Sequence, residues 1–469
     1  MIRTLCILFI ILIAIPLHAQ PGKTFQVAPA DGPPNHKEAL KAFSRHIDEH
    51  PKEAKGYFNR GAVYSAMLEY KNAISDYSKA ISLDPKYVAA YINRGSAYSE
   101  LEKFDEAMAD FTKALELSPS LAEVYNNRGF LYLLQNQIDK AIADFDRSIT
   151  LKPNYTRAYI NKAYALKNLG EQDKALEILD QLILKVPGSP EGYINRAVEY
   201  AERKEPRKAI DDYSKALALS PEASIYLKRS KLRDEIGDDR GAIADCQRAI
   251  ALQPQNHELY YYKARAEYDL PDMHAVITDC SLAIELKPDY WEAYVLRGNA
   301  NDILFQYQDA LKDYSKAISL KPSEVDPYQQ RAVARQKQND LVGAISDLSK
   351  AISLAPKKVE LYVQRAGVRL QANDKKGALS DLDICITLQP LAIHYYNRAT
   401  VHEKNNDLNA ALADYSEAIL LDPAFVNALL ARAEIYFKMK EDIKGCDDLK
   451  KAADLGSGAA ISKRLFNCK

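Results

Sequence analysis

Residues 88–119 read VAAYINRGSAYSELEKFDEAMADFTKALELSP, and the fold follows from the spacing inside this stretch. Tyr91, Gly95 and Tyr98 recur at intervals of three and four residues, and Ala107, Phe111 and Ala114 do the same. That spacing places each set on one side of a helix, because an α-helix completes a turn in about 3.6 residues. Pro119 closes the stretch, and its ring, with fixed φ and no N–H, cannot continue a helix. The segment therefore predicts two amphipathic helices followed by an enforced turn.

The same punctuation runs through the chain. Prolines stand at 51, 85, 119, 153, 187, 221, 254, 288, 322, 356, 390 and 423, spaced by 34 residues except for two spacings of 33, 221 to 254 and 390 to 423. A fixed period of this size marks one supersecondary unit copied in tandem, and such units bury their apolar faces by stacking on their neighbours. With the closing proline at position 32, twelve units begin at 54, 88, 122, 156, 190, 223, 257, 291, 325, 359, 392 and 426 and span 54–459. Lys37 to Pro51 fits the second half of a unit, with Ala39 and Phe43 at positions 20 and 24, so an N-terminal capping helix is expected within 36–53. Residues 460–469 are expected to form a C-terminal capping helix.

These units resemble the tetratricopeptide repeat, in which an aromatic residue, a small residue and a tyrosine mark the first helix, A-x3-F the second, and a late proline the end. In the second unit the matching residues are Tyr91, Arg94, Gly95, Tyr98, Ala107, Phe111, Ala114 and Pro119. The resemblance implies an all-α fold, a right-handed α-solenoid superhelix of about twelve stacked helix-turn-helix units. It also implies a concave groove lined by the first helix of each unit, at positions 2, 5, 6, 9 and 13, and a role in binding proteins.

Departures from the family pattern are informative. Position 4 is Tyr in eleven units and Leu429 in the twelfth; position 7 is Arg or Lys throughout, where the family has Leu; position 23 is Asp in eleven units, with Ile178 the exception. Positions 7 and 23 lie on facing helices, so a repeated Arg–Asp pair is expected to span each hairpin, the planar guanidinium holding the carboxylate bidentately. Position 6 is Asn59, Asn93, Asn127, Asn161 and Asn195 in five consecutive units, then Lys228, Tyr262, Leu296, Gln330 and Gln364, then Asn397. An amide carries both a donor and an acceptor, so a row of them suits the backbone of an extended peptide. By resemblance these five asparagines are the candidate peptide-binding residues. Family members that grip the acidic tails of heat-shock chaperones use Lys at position 5; here that position is mostly apolar, as at Phe58, Ile92, Ile160, Ile194, Leu227 and Val295, and no unit supplies the lysine, so that clamp is not expected.

Composition narrows the function further. The 469 residues carry 63 basic and 64 acidic side chains, so there is no basic footprint for nucleic acid, and the 47% hydrophobic fraction excludes a disordered chain. No phosphate loop, nucleophile elbow or metalloprotease pattern is present, and the ten residues after the twelfth unit add no catalytic domain, so neither enzymatic activity nor a cofactor is expected. His46 and His50 share a helix face at i, i+4, but no third ligand accompanies them in the sequence, and no metal is expected. The leading expectation is a non-enzymatic scaffold for a protein or peptide partner. The alternative is a structural component of a cell envelope that uses its convex face or its ends.

Residues 1–20, MIRTLCILFIILIAIPLHAQ, place Arg3 ahead of an apolar run from Leu5 to Ile15, followed by Pro16 and Ala19. This is the layout of a secretory signal peptide, residues 1–19, with cleavage after Ala19 or retention as an anchor. The run is shorter than the ~20 residues a comfortable span needs, so no stable span is expected after cleavage. Residues 20–35, QPGKTFQVAPADGPPN, read as a flexible tether. The expected location is outside the cytoplasm, periplasmic in a bacterium or otherwise secreted. An oxidising compartment would let Cys446 and Cys468 bridge across the tail GCDDLKKAADLGSGAAISKRLFNCK and staple the last cap. Cys246, Cys280 and Cys385 fall at core positions. Twenty of the 30 tyrosines occupy repeat positions 4, 11 and 24, which marks the tyrosine excess as mainly packing.

Overall fold

Eleven of the twelve units close their hairpin with the same backbone device. In the computed structural model, which describes residues 36–468, α1 (His36–Glu49) is followed by α2 (Ala54–Ala66) and α3 (Tyr70–Leu83), then α4 (Val88–Glu100) and α5 (Phe104–Leu117). The alternation continues through α24 (Val426–Lys438) and α25 (Asp442–Asp454) to α26 (Gly458–Asn467). The turn inside a unit puts position 15 in the left-handed region: Leu68 at φ 62°, Glu102 at 57°, Asn136 at 58° and Gly170 at 79°. The next N–H then reaches back to position 11, as from Glu69 to Tyr64 O at 2.9 Å and from Asp340 to Arg335 O at 2.9 Å, which satisfies a helix-end carbonyl. The seventh unit departs from this. Position 15 is Pro271, whose φ cannot become positive, and its first helix α14 (His257–Tyr268) has 12 residues where most first helices have 13.

Among the described residues there are 26 helices and no strand, an all-α helical repeat solenoid. The expected signal peptide and tether, residues 1–35, lie outside the described residues. The chain divides into two compact units, one ending at Ile225 and the other beginning at Tyr226. In the first, Tyr91, Phe111, Leu115, Val124 and Leu131 form one continuous core from consecutive hairpins. In the second, Tyr328, Leu348, Ile352, Leu361 and Tyr362 do the same. Within each unit every helix packs on the next in sequence, so contacts are local, as expected of a stacked repeat.

The core also shows where the first helix needs a glycine. Position 8 of the first helix faces position 24 of the second. Gly298 lies so close to Tyr314 that a Cβ there would come within 2.6 Å of the ring. Where position 24 carries a smaller side chain, Leu179, Cys246, Cys280, Leu348 or Leu382, position 8 is Ala163, Ser230, Ala264, Ala332 or Ala366. Alanine also faces a tyrosine at Ala197–Tyr213 and Ala399–Tyr415, so glycine is needed only where the ring approaches closest, at Gly61, Gly95, Gly129 and Gly298.

Candidate functional site

The first helix of each hairpin is fixed by two contacts that recur along the chain. In ten units the position-7 arginine donates from Nε and Nη2 to both oxygens of the position-23 aspartate, at 2.5–3.0 Å. The hydrogen bond to Asp110 raises the Arg94 guanidinium above its ordinary pKa although burial opposes it. The other contact is made in six units by the position-4 tyrosine, whose hydroxyl donates to the carbonyl of the proline before it: Tyr159 to Pro153 at 3.0 Å, Tyr260 to Pro254 at 3.1 Å, Tyr362 to Pro356 at 3.1 Å, and likewise Tyr57, Tyr294 and Tyr328. The periodic tyrosine and proline are thus one interaction.

A third arm of the arginine was not visible from the period alone. Arg94 Nη1 donates to Ser78 Oγ at 3.0 Å, Arg297 to Ser281, Arg331 to Ser315, Arg365 to Ser349 and Arg432 to Ser416 at 2.9 Å. These hydroxyls stand at position 25 of the preceding unit, so one guanidinium ties three helices. Asp180 and Asp383 serve Arg196 and Arg398 in the same way. In the fourth unit, where Ile178 removes the usual carboxylate, Lys162 turns to Asp146 of the preceding unit at 2.6 Å. The signal in the sequence is a serine or aspartate 16 residues before eight of the twelve basic residues, as Ser78 before Arg94 and Asp146 before Lys162, which a search confined to one unit misses.

On the frame so fixed, all five candidate asparagines are half-buried. Their contacts differ from unit to unit. Asn93 lies against the Tyr77 hydroxyl; Asn161 donates to Asn126 Oδ1 at 2.9 Å; Asn126 donates to Asn127 at 3.5 Å; Asn195 donates to the Glu191 carbonyl one turn back at 2.8 Å. The structure thus joins Asn127 and Asn161 through Asn126, turns Asn195 onto its own helix, and gives Asn59 no hydrogen bond of this kind.

With this geometry in place, seven units match family models described as the tetratricopeptide repeat: 54–87, 88–121, 122–155 and 190–222 match one, 292–324 and 395–425 a second, and 157–189 a third. The chain carries tetratricopeptide repeats. Similar solved structures include YrrB, a tetratricopeptide protein with an unusual peptide-binding site, at 28% identity over 41% of this chain and 100% of that one, TM-score 0.33. Yeast Tom70 shares 21% identity over 81% of this chain and 94% of its own, TM-score 0.36. A tetratricopeptide repeat protein from Parabacteroides merdae shares 17% over 50% and 93%, TM-score 0.40. No curated protein sequence is significantly similar to the chain. Tetratricopeptide repeats as a class mediate protein–protein interaction.

Other groups raised by the sequence are placed as follows. His46 Nε2 lies 3.0 Å from Glu53 Oε2 and the His50 ring is 4.9 Å away, yet the one cluster of three metal-ligating groups among the described residues is Asp234, Asp239 and Asp269. Asp234 in that cluster is bound by Arg265. Cys446 and Cys468 are joined, with Cα atoms 5.7 Å apart, and Cys246, Cys280 and Cys385 are free and buried. No helix of the described residues is long and apolar enough to cross a membrane.

The seventh unit departs in charge as well as in its turn. Lys263 replaces arginine at position 7 and meets two carboxylates, Asp279 and, at 2.7 Å, Glu267. Glu267 is buried, and its Oε2 has no hydrogen-bond partner. Burial, and the neighbouring Asp279 carboxylate, raise Glu267 to about 7 against the opposing pull of Lys263. In the unfolded chain it titrates at an ordinary glutamate value, about 4.3. Between those values the folded state holds a proton that the unfolded state has lost, so stability falls as pH rises through that window. We expect a loss of about 1–3 kcal/mol between pH 4.5 and 7.5, flattened in Glu267→Gln, from urea unfolding at a series of pH values.

Proposed function

We propose that the chain is an exported, non-enzymatic interaction scaffold that holds an extended peptide segment along the asparagine-bearing first helices of its first five repeats. One contrast carries this reading. Arginine at position 7 makes the same internal contact in all ten units that carry it, and tyrosine at position 4 makes the same one in six units. Asparagine at position 6 recurs in five successive units, 59, 93, 127, 161 and 195, while its internal contacts change each time. Packing rewards a repeated residue only through a repeated contact, so the repetition is best accounted for by a periodic partner outside the chain. An extended peptide presents N–H and C=O groups at regular intervals and supplies one.

Export rests on residues 1–19, and N-terminal sequencing of the mature protein tests it: a chain beginning at Gln20 supports cleavage, and one beginning at Met1 contradicts it. For the peptide reading, dodecapeptides selected from a random display library against the full chain are expected to bind about tenfold or more weakly to the Asn93→Ala/Asn127→Ala/Asn161→Ala variant, since each lost amide bond is worth about 0.5–1.5 kcal/mol. Unchanged affinity would assign the asparagines a structural role.

A further inference from the structure

We propose that the outer face of α26 docks the last repeat onto an anionic lipid surface. This face shares no residue with the asparagine row and lies wholly in the compact unit that begins at Tyr226. A terminal helix of a stacked repeat has no neighbour on one side, and a polar outer face is what keeps it in water. The first helix, α1, follows that rule: Lys37, Glu38, Lys41, Arg45, Asp48 and Glu49 are exposed. The last helix inverts it. The one buried residue of α26 is Ala460, while Ile461, Leu465 and Phe466 are 50%, 76% and 83% exposed.

At about 100° per residue, Gly458, Ile461, Ser462, Leu465 and Phe466 share an arc of about 140° on α26. Arg464 falls about 60° beyond one border of that arc and Lys463 about 60° beyond the other, where Glu434 holds it. An apolar arc flanked by cations is the form of a helix that lies in a bilayer interface. Ten residues are too few to span a bilayer, which takes about 20, so α26 would lie along the surface. The bridge between Cys446 and Cys468 ties α26 to the last hairpin with its apolar arc turned outward. It also sets Ile443, 81% exposed and one turn before Cys446, beside the end of the helix.

Charge and area select the occupant. Residues 455–469 contain Lys463, Arg464 and Lys469 and no acidic residue. On α25 the exposed charges balance, Asp442, Asp447 and Asp454 against Lys444, Lys450 and Lys451. A second copy meeting the same face would bring like charges together, whereas anionic headgroups attract them. The four exposed apolar side chains offer roughly 550 Å², short of the ~800 Å² per partner that a stable protein interface buries. A bilayer accepts a convex apolar face without a matching groove.

The probe is a pair of vesicle preparations, phosphatidylcholine with phosphatidylglycerol in equal parts and phosphatidylcholine alone, sedimented with the chain from Gln20 onward. That chain keeps every described residue and omits residues 1–19, whose apolar run would bind lipid by itself. It is expected to bind the mixed vesicles about tenfold or more tightly than the neutral ones, and to weaken as salt screens the contact. Leu465→Ser/Phe466→Ser is expected to lose about tenfold or more, with the thermal midpoint and the protease resistance of Leu455–Gly458 retained. Arg464→Gln, which leaves the apolar arc intact, should weaken binding to the mixed vesicles about fivefold and leave the neutral ones unchanged. No binding to the mixed vesicles, equal binding to both preparations, or full binding by either folded variant would overturn the proposal. So would a lipid-independent dimer, seen by analytical ultracentrifugation and abolished in Leu465→Ser/Phe466→Ser, which would assign the face to a second copy.

Discussion

Asp245→Ala is expected to lower the unfolding free energy of the repeats around it by about 3–5 kcal/mol, the cost of removing one partner from a buried ion pair. Asp245 is fully buried and Arg229 only 7% exposed. The carboxylate accepts from Arg229 Nε at 2.8 Å, from its Nη2, and from Arg233 Nη1 at 3.0 Å, so alanine removes three charge-assisted bonds and the negative charge that two guanidiniums share. Coulomb attraction in such a pair roughly offsets desolvation while both members are present; with one gone the desolvation remains. Urea unfolding followed by circular dichroism reads the loss. Glu116→Ala is the matched surface control, because Glu116 pairs with Lys113 on one exposed helix face, and should change stability by no more than about 0.5 kcal/mol. A similarly small effect for Asp245→Ala would mean that these pairs are bystanders. The fourth unit already shows what the chain does when the carboxylate is absent: Ile178 fills the space and Lys162 takes a partner on the preceding repeat.

The second large effect concerns the far end of the chain. Cys446→Ser/Cys468→Ser is expected to remove about 3 kcal/mol of cap stabilisation, the loop entropy released when a closure of 22 residues opens. Little else holds α26. Of its ten residues only Ala460 is buried, against Leu429, Ala433, Leu449 and Ala452, while Leu465 and Phe466 are 76% and 83% exposed. The expected result is rapid proteolysis near Leu455–Gly458 in the variant, with the preceding units intact, and resistance in the bridged protein. Mass spectrometry with and without reductant checks the bridge itself. Equal cleavage of the two proteins would show that the apolar contacts suffice.

Much of this frame could be read from the sequence because its contacts have fixed offsets. Arg128 and Asp144 are separated by 16 residues, as are Arg94 and Asp110, so one period contains the pair and ten copies display it. The proline and the tyrosine six residues later were equally visible, although their hydrogen bond was not, since packing alone gives reason enough for a tyrosine. The serine arm was harder to see because Ser78 belongs to the unit before Arg94. Pro271 could be read as a break in the pattern, but the loss of the left-handed turn residue shows only in the backbone. The asparagines were legible as a row and not as contacts. Each amide chooses among neighbours that differ between units, such as Asn126 beside Asn161 or the Glu191 carbonyl above Asn195, and that choice depends on side-chain geometry that no spacing encodes.

Hydrogen–deuterium exchange on the full chain, with and without a selected dodecapeptide bound, tests most directly whether the first-helix asparagine face is the ligand surface. Bound peptide should slow exchange in the first helices carrying Asn59, Asn93, Asn127, Asn161 and Asn195, and leave the second helices of those units unchanged. Protection confined to α1, α26 or the second helices would contradict the peptide-groove reading and favour assembly through the ends or the opposite face.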